Sequence, residues 1–265
     1  RDAKRLDIVT EFDNTIKDHR LRVLFPSGIN TEVSHAAGQF DVLERPIKTQ
    51  YHKDHYEPHV VSHPNYGFVD LTDGTTGLAI VNEGLIEYEI LTDRARTIAL
   101  TLVRSSEKMC GQPACDSTGS QCLRPFALRY AIYPHAGDYQ AGEVFGELQH
   151  SGLPMAVAQS GRDGVDQGCA VSFLKLDTAF LVLSAFKQAE NGKSVIVRFF
   201  NPTRKPLQSK VWCFTGIKKA WQTNLNEDRL KPLTVSNKQT VLLHVKSKQI
   251  VTLEIMPNVV VDGPI

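Results

Sequence analysis

Four histidines fall in the stretch HKDHYEPHVVSHP, residues 52–64: His52, His55, His59 and His63. Imidazoles at i and i+4 share one face of a helix, an arrangement with which a chain grips a metal. Helical winding would bring His55, His59 and His63 together in that way. Pro58 and the β-branched pair Val60-Val61 oppose it, because proline removes a backbone donor and β-branching restricts χ1. The run therefore reads as a solvated connector, and no metal ligand is assigned to it. Cysteines stand at 110, 115, 122, 169 and 213. Three share the polar segment CGQPACDSTGSQC, whose C-x4-C-x6-C spacing resembles no common zinc module and lacks a fourth ligand. An odd number cannot all pair within one chain, and free thiols fit a cytoplasmic protein.

A second constellation is YPHAGDYQAGEVF, residues 133–145, which sets His135, Asp138 and Glu143 just after a strong strand pattern. An imidazole beside a carboxylate could transfer protons. The plainer reading is a strand that turns at Gly137 into a short helix with Asp138 as its N-cap, and that reading is adopted. Glu83, Glu87 and Glu89 raise the question of glycoside hydrolysis, which needs two carboxylates about 5–5.5 Å apart in retaining enzymes. Residues 87 and 89 would share a strand face, but so do carboxylates on any solvated strand. TDGTTG connects strands and leads into no helix, so it is not a phosphate cradle. No G-x-S-x-G elbow is present. From residue types alone, no catalytic residue is assigned.

The elements that must carry these groups are nearly all strands. LRVLF (21–25), GFVDL (67–71), LAIVN (78–82), IEYEI (86–90), TIALTLV (97–103), FALRYAIYP (126–134), FLVLSAF (180–186) and SVIVRFFN (194–201) are rich in β-branched and aromatic residues. Asp73-Gly74, Glu83-Gly84, Asn191-Gly192 and Asn201-Pro202 punctuate them as turns. The best helical pattern is the single short piece 138–152. The fold class is all-β: a large antiparallel super-sandwich followed by a small β-sandwich. A composition shift at KQAENGK (187–193) sets the boundary. Residues 1–187 are expected to form the large unit, 194–257 the small one, and 258–265 a tail. The first residue is Arg, and the text enters a strand almost at once, so the chain reads as a fragment or a processed piece.

Formal net charge is +1, with hydrophobic residues at 42%. Neither a concentrated basic patch nor an apolar run of about 20 residues is present, so nucleic acid and membrane are not expected partners.

One resemblance adds to this reading. DHRLRVLFPSGI (18–29), GQFDVLERP (38–46), FVDLTDGTTGLAIVNEGLIEYEI (68–90), TLVRSSE (101–107), ALRYAIYPHAGDY (127–139) and VRFFNPTRKPLQSKV (197–211) occur in this order. The ordered set resembles the C-terminal β region of glycoside hydrolase family 38, the α-mannosidases, in the branch similar to mannosylglycerate hydrolases. The resemblance implies a retaining, exo-acting α-mannosidase. Its zinc and Asp nucleophile would sit in an upstream α/β barrel of the same protein, the chain's expected partner along with an α-mannoside. No stretch of this chain matches the barrel's motifs, so no nucleophile, acid or zinc ligand is carried over. By position, the family's substrate-facing Arg of the β region falls on Arg94 in EILTDRAR, with Arg96 as the second choice. A large apolar patch for the docking barrel is expected as well.

Two other functions remain open. An independent carbohydrate-binding module would use exposed aromatic rings; Trp212 alternates like a core residue, whereas Trp221 would be exposed. An aldose-mutarotase-like enzyme would combine His135, Tyr133 and Glu143.

Overall fold

Runs of β-branched and aromatic residues bury best when paired into sheets, and the turns between them allow antiparallel pairing. The computed structural model describes residues 4–48, 61–107, 118–153, 156 and 172–258. The chain divides into two compact units, Arg1–Pro154 and Met155–Ile265.

The first unit contains β1 (Leu6–Asp13), β2 (Arg20–Phe25), β3 (Val33–Gly38), β4 (Asp41–Pro46), β5 (His63–Pro64), β6 (Phe68–Thr72), β7 (Thr76–Asn82), β8 (Glu87–Ile90), β9 (Ile98–Arg104), β10 (Pro125–Ala136) and helix α1 (Val144–Gly152). A six-stranded sheet runs β1-β10-β7-β6-β3-β4, and a four-stranded sheet runs β2-β9-β8-β5. Their inner faces share one core that includes Val69, Leu71, Ile80, Tyr88, Ile98 and Leu100, all fully buried. The outer face of the larger sheet is covered too. Phe68, Ala79, Val81 and Tyr133 form a second cluster with Val144, Phe145 and Leu148 of α1. Strand β6 is therefore buried at every position, and its sequence FVDLT places two polar side chains, Asp70 and Thr72, on the covered outer face. The β6–β7 turn is built as its residues require. Asp73 Oδ1 accepts from Thr75 N (2.8 Å) and Thr76 N (2.9 Å), while Gly74 takes a left-handed φ of 92°.

The second unit contains β11 (Leu174–Leu176), β12 (Val182–Gln188), β13 (Val195–Phe200), β14 (Leu207–Cys213), β15 (Ile217–Thr223), β16 (Arg229–Leu233), β17 (Val235–Ser236), β18 (Thr240–Val245) and β19 (Ile250–Pro257). Sheets β11-β14-β18-β17 and β12-β13-β19-β15-β16 enclose a core that includes Val197, Phe199, Val211, Val241, Leu253 and Ile255. All ladders in both units are antiparallel, which agrees with the expected all-β class of two sandwiches.

The units do not divide at 187–194. KQAENGK is the turn of a hairpin, in which β12 pairs with β13 from Gln188↔Val195 to Val182↔Phe200. Ala189 N donates to Ser194 O and Gly192 N to Ala189 O, each at 2.9 Å. Its polar composition is that of a solvated turn, and β11 and β12 both belong to sheets of the second unit. Residues 259–265 of the expected tail lie outside the described residues.

Candidate functional site

Arg94 lies on the turn between β8 and β9. That turn is fixed by its own chemistry. Asp93 accepts from Thr97 N (3.0 Å) and Thr97 Oγ1 (2.7 Å), and these bonds hold its carboxyl below the usual range. The Ala95 carbonyl accepts from Gly28 N (2.9 Å) and Ser27 Oγ (3.0 Å), so the turn is tied to the chain that follows β2. Arg96 stands at a left-handed φ of 48°. It donates to Thr31 O at 3.0 Å and pairs with Glu32, so its guanidinium is already used inside the fold. Arg94, by contrast, is exposed and has no hydrogen bond or ion pair among the described residues. Of the two arginines, Arg94 alone presents a free cation on a rigid turn.

A buried polar group lies on the outer face of the six-stranded sheet. His135 of β10 reaches over Gly77, its register partner on β7, to place Nε2 2.8 Å from Asp70 Oδ1 on β6. The two side chains are 2% and 0% exposed. Burial pushes the Asp70 carboxyl up. Burial pulls the His135 imidazole down, but the bond and charge of Asp70 outweigh it and leave the imidazole above its ordinary value. Asp70 is also the register partner of His35 on β3, which in turn faces Glu44 on β4. His35 Nε2 stands 3.5 Å from Glu44 Oε2. His35 Nδ1 and Asp70 Oδ2 are buried without a hydrogen-bond partner. This row does not fit a metal cradle. The Asp70 and His135 atoms that face each other are spent on their mutual bond, and a Cβ on Gly77 would lie only 2.0 Å from the imidazole. No group of three or more His, Cys, Asp or Glu among the described residues is placed to hold a metal ion.

The mutarotase-like trio does not converge. His135 is bound to Asp70, the Tyr133 hydroxyl donates to Gly142 O at 2.7 Å, and Glu143 is exposed at the N-cap of α1 with a left-handed φ of 53°. Asp138 does not cap that helix. It caps the preceding turn, accepting from Gln140 N (3.0 Å) and Ala141 N (2.9 Å). Glu87 and Glu89 do share a face, and both are neutralised there. Glu87 pairs with Arg20 (2.8 Å) and Arg104 (2.7 Å), and Glu89 with Arg22 (2.7 Å). A cavity of about 200 Å³ is bordered by Arg5, Asp7, Val81, Glu83, Arg129 and Ser151, away from His135.

In the second unit Trp221 does not offer a bare platform, because the Arg229 guanidinium lies 3.7 Å from its ring centroid. Trp212 is half-buried rather than core, and its ring contacts exposed Phe214, which contacts exposed Phe173. These three rings form a small aromatic cluster, with Lys175 Nζ 5.1 Å from the Trp212 ring centroid. His52, His55, His59, Cys110, Cys115 and Cys169 lie outside the described residues. His63 sits in β5, its ring 6.0 Å from that of Tyr88, and Cys122 and Cys213 are free thiols. Sequence reasoning missed Asp70. Its one signal was a lone carboxylate in an otherwise apolar strand.

Comparison with known proteins agrees with this architecture. Residues 1–108 match the glycosyl hydrolases family 38 C-terminal domain, and residues 181–253 match the family 38 C-terminal beta sandwich domain. A protein of Halalkalibacterium halodurans, provisionally named a mannosylglycerate hydrolase, is 29% identical over 251 residues, covering 95% of this chain and 27% of that protein. The crystal structure of an α-mannosidase from Enterococcus faecalis V583 superposes with a TM-score of 0.80 at 25% identity, over 96% of this chain and 28% of that one. A second Enterococcus faecalis structure of a family 38 protein gives a TM-score of 0.77, with the same identity and coverage. The chain thus spans little more than a quarter of the length of the relatives it matches. It belongs to glycoside hydrolase family 38, as a C-terminal β region of that family.

Proposed function

We propose that this chain is the non-catalytic β portion of a retaining, zinc-dependent α-mannosidase, and that the β8–β9 turn helps frame a cleft for an α-mannoside. Zinc and nucleophile would belong to an upstream catalytic barrel of the same protein, since none of the described residues fits either task. The observation that carries the reading is Arg94: a free guanidinium on a turn whose other charged groups are consumed internally. A guanidinium held in this way is ready to donate to sugar or aglycone oxygens. The sandwich core behind it keeps the turn rigid. The free thiols Cys122 and Cys213 support a cytoplasmic setting, and no helix among the described residues is long and apolar enough to cross a membrane.

The test uses the full-length protein and 4-nitrophenyl α-mannoside. A charge-assisted hydrogen bond contributes about 1.5–3 kcal/mol, so Arg94→Ala should lower kcat/KM by about ten- to a hundredfold. Melting temperature should stay unchanged, since Arg94 holds nothing in the fold. Arg104→Ala, which removes an exposed partner of Glu87, serves as the control and should alter kcat/KM less than twofold. Chelation of zinc should abolish turnover. An Arg94→Ala enzyme with wild-type kcat/KM would remove Arg94 from the cleft, and full activity after complete zinc removal would refute zinc dependence.

A further inference from the structure

The segment 137–152, from Gly137 through α1, lies directly on the buried row of the six-stranded sheet. Thr72 Oγ1 donates to Gly137 O and Gly137 N donates to Thr75 O, each at 2.8 Å. Tyr133 donates to Gly142 O at 2.7 Å. The Tyr139 ring lies 5.2 Å from that of His35, and Phe145 meets Phe68 edge-on at 5.1 Å. The imidazole of His135 itself is roofed by Gly142, where a Cβ would stand 2.4 Å from Nδ1. The segment seats only because two glycines, Gly77 below and Gly142 above, leave room for that ring.

The charge state of the row then bears on the seating. Seated, Asp70 and His135 are buried together, with Asp70 Oδ2 and His35 Nδ1 lacking hydrogen-bond partners beside them. Lifted, each group would return to water and to its ordinary value. Asp70 has a raised carboxyl value, and His135 a raised imidazole value. The seated form therefore holds more protons than the lifted form once pH exceeds the ordinary carboxylate range. Seating is strongest on the acid side of the ordinary imidazole value of about 6.5, and is lost as pH rises through the raised His135 value. Loss of that proton leaves the Asp70 carboxylate buried with only the more distant His35 to act on it as a cation. The other groups facing the row do not replace the cation. Glu44 flanks His35, exposed Asp138 lies in the covering turn, and Glu143 and Glu147 of the α1 region act on Tyr133.

We infer that the Glu44–His35–Asp70–His135 row is a proton-dependent latch, which holds segment 137–152 on the sheet when His135 is charged and releases it when His135 loses its proton.

Hydrogen exchange read by mass spectrometry on the full-length protein tests this, with intrinsic exchange rates divided out. Between about pH 6 and pH 9 the protection of 137–152 should fall by up to about tenfold per pH unit from about pH 6.5 to the His135 midpoint, and level off above it. Peptides of β13 and β19 serve as the internal standard and should hold steady. Asp70→Asn should move the midpoint to the acid side, since burial is the first-named influence on the imidazole and the Ala136 carbonyl and Asp138 oppose it less than Asp70 does. Tyr133→Phe should weaken protection at every pH and keep its pH dependence. Should Asp70→Asn fail to fold, the ring-proton titration of His135 by NMR in the unmodified protein decides. A midpoint above 6.5 that coincides with the pH at which the loss of protection levels off supports the latch. Protection of 137–152 that follows the internal standard overturns it, as does a His135 midpoint at or below 6.5.

Discussion

Glu254, on the central strand β19, offers the clearest measure of what one buried carboxylate contributes to the second unit. Its side chain is 3% exposed. It accepts from Arg229 Nε (2.6 Å) and Nη2 (2.8 Å), from Ser194 Oγ (2.7 Å) and from Asn191 Nδ2 (2.9 Å). The Arg229 pair, aided by the two neutral donors, holds the carboxyl at about 2, against an ordinary value of 4.5. A tenfold change in acidity corresponds to about 1.4 kcal/mol, so this displacement would give about 3.4 kcal/mol for a fully shielded pair. Arg229 is 45% exposed, so solvent screens part of this, and about 2 kcal/mol is the working figure. Because the folded value lies below the unfolded one, this contribution is complete above about pH 4.5 and disappears as pH falls towards 2. Glu254→Gln removes the charge and turns an amide donor towards donors already present. It should cost about 2 kcal/mol at neutral pH. Both tryptophans of residues 1–265, Trp212 and Trp221, lie in this unit, so the fluorescence of this polypeptide during urea unfolding reports on it. With an m-value of about 1–3 kcal/mol/M, the midpoint should drop by about 1 M at pH 7. The gap between wild type and variant should close as pH approaches 2. A variant that unfolds with the wild-type midpoint at pH 7, or keeps the same gap at pH 3 and pH 7, would show that the network is electrostatically idle.

Two further substitutions probe the first unit. Gly77→Ala would drive a methyl to 2.0 Å from the His135 ring, so either the ring or the strand must move; a loss of about 3 kcal/mol or more should appear in thermal unfolding, and an unchanged melting temperature would contradict the packing described. Asn82→Ala removes the buried amide that donates to Asn65 Oδ1 (2.9 Å) and accepts from Leu85 N (3.0 Å), and should cost about 2 kcal/mol in denaturant unfolding, with Asn82→Asp at least as costly at neutral pH because its carboxylate would face the Asn65 Oδ1 acceptor.

Strands such as β7, β9 and β13 were legible because β-branched residues dominate them and turn residues bound them. β3 was not: VSHAAG is small and polar, and it becomes a strand only because its neighbours β4 and β6 supply ladders on both sides. The unit boundary was misread because a seven-residue polar run has the same composition whether it links domains or turns a hairpin. The pattern of residues 133–145 marked His135 correctly as notable, yet local spacing suggested Asp138 and Glu143 as partners. The real partner, Asp70, is 65 residues away, and only sheet order brings it near. Arg94 was reached by resemblance, and nothing in the text of EILTDRAR signals that Asp93 and Arg96 are consumed while Arg94 stays free.

The pairing of β1 with β10 also bears on how the chain assembles. Leu6 meets Ile132 and Asp13 meets Pro125, so the first strand has no ladder until the tenth has been made. On a ribosome, more than a hundred residues would emerge before the large sheet could close at that edge, whereas the β12–β13 hairpin needs only its own turn. Until then β1 would offer its unpaired backbone groups to any other chain, which makes this unit aggregation-prone during synthesis and gives it much to gain from a chaperone.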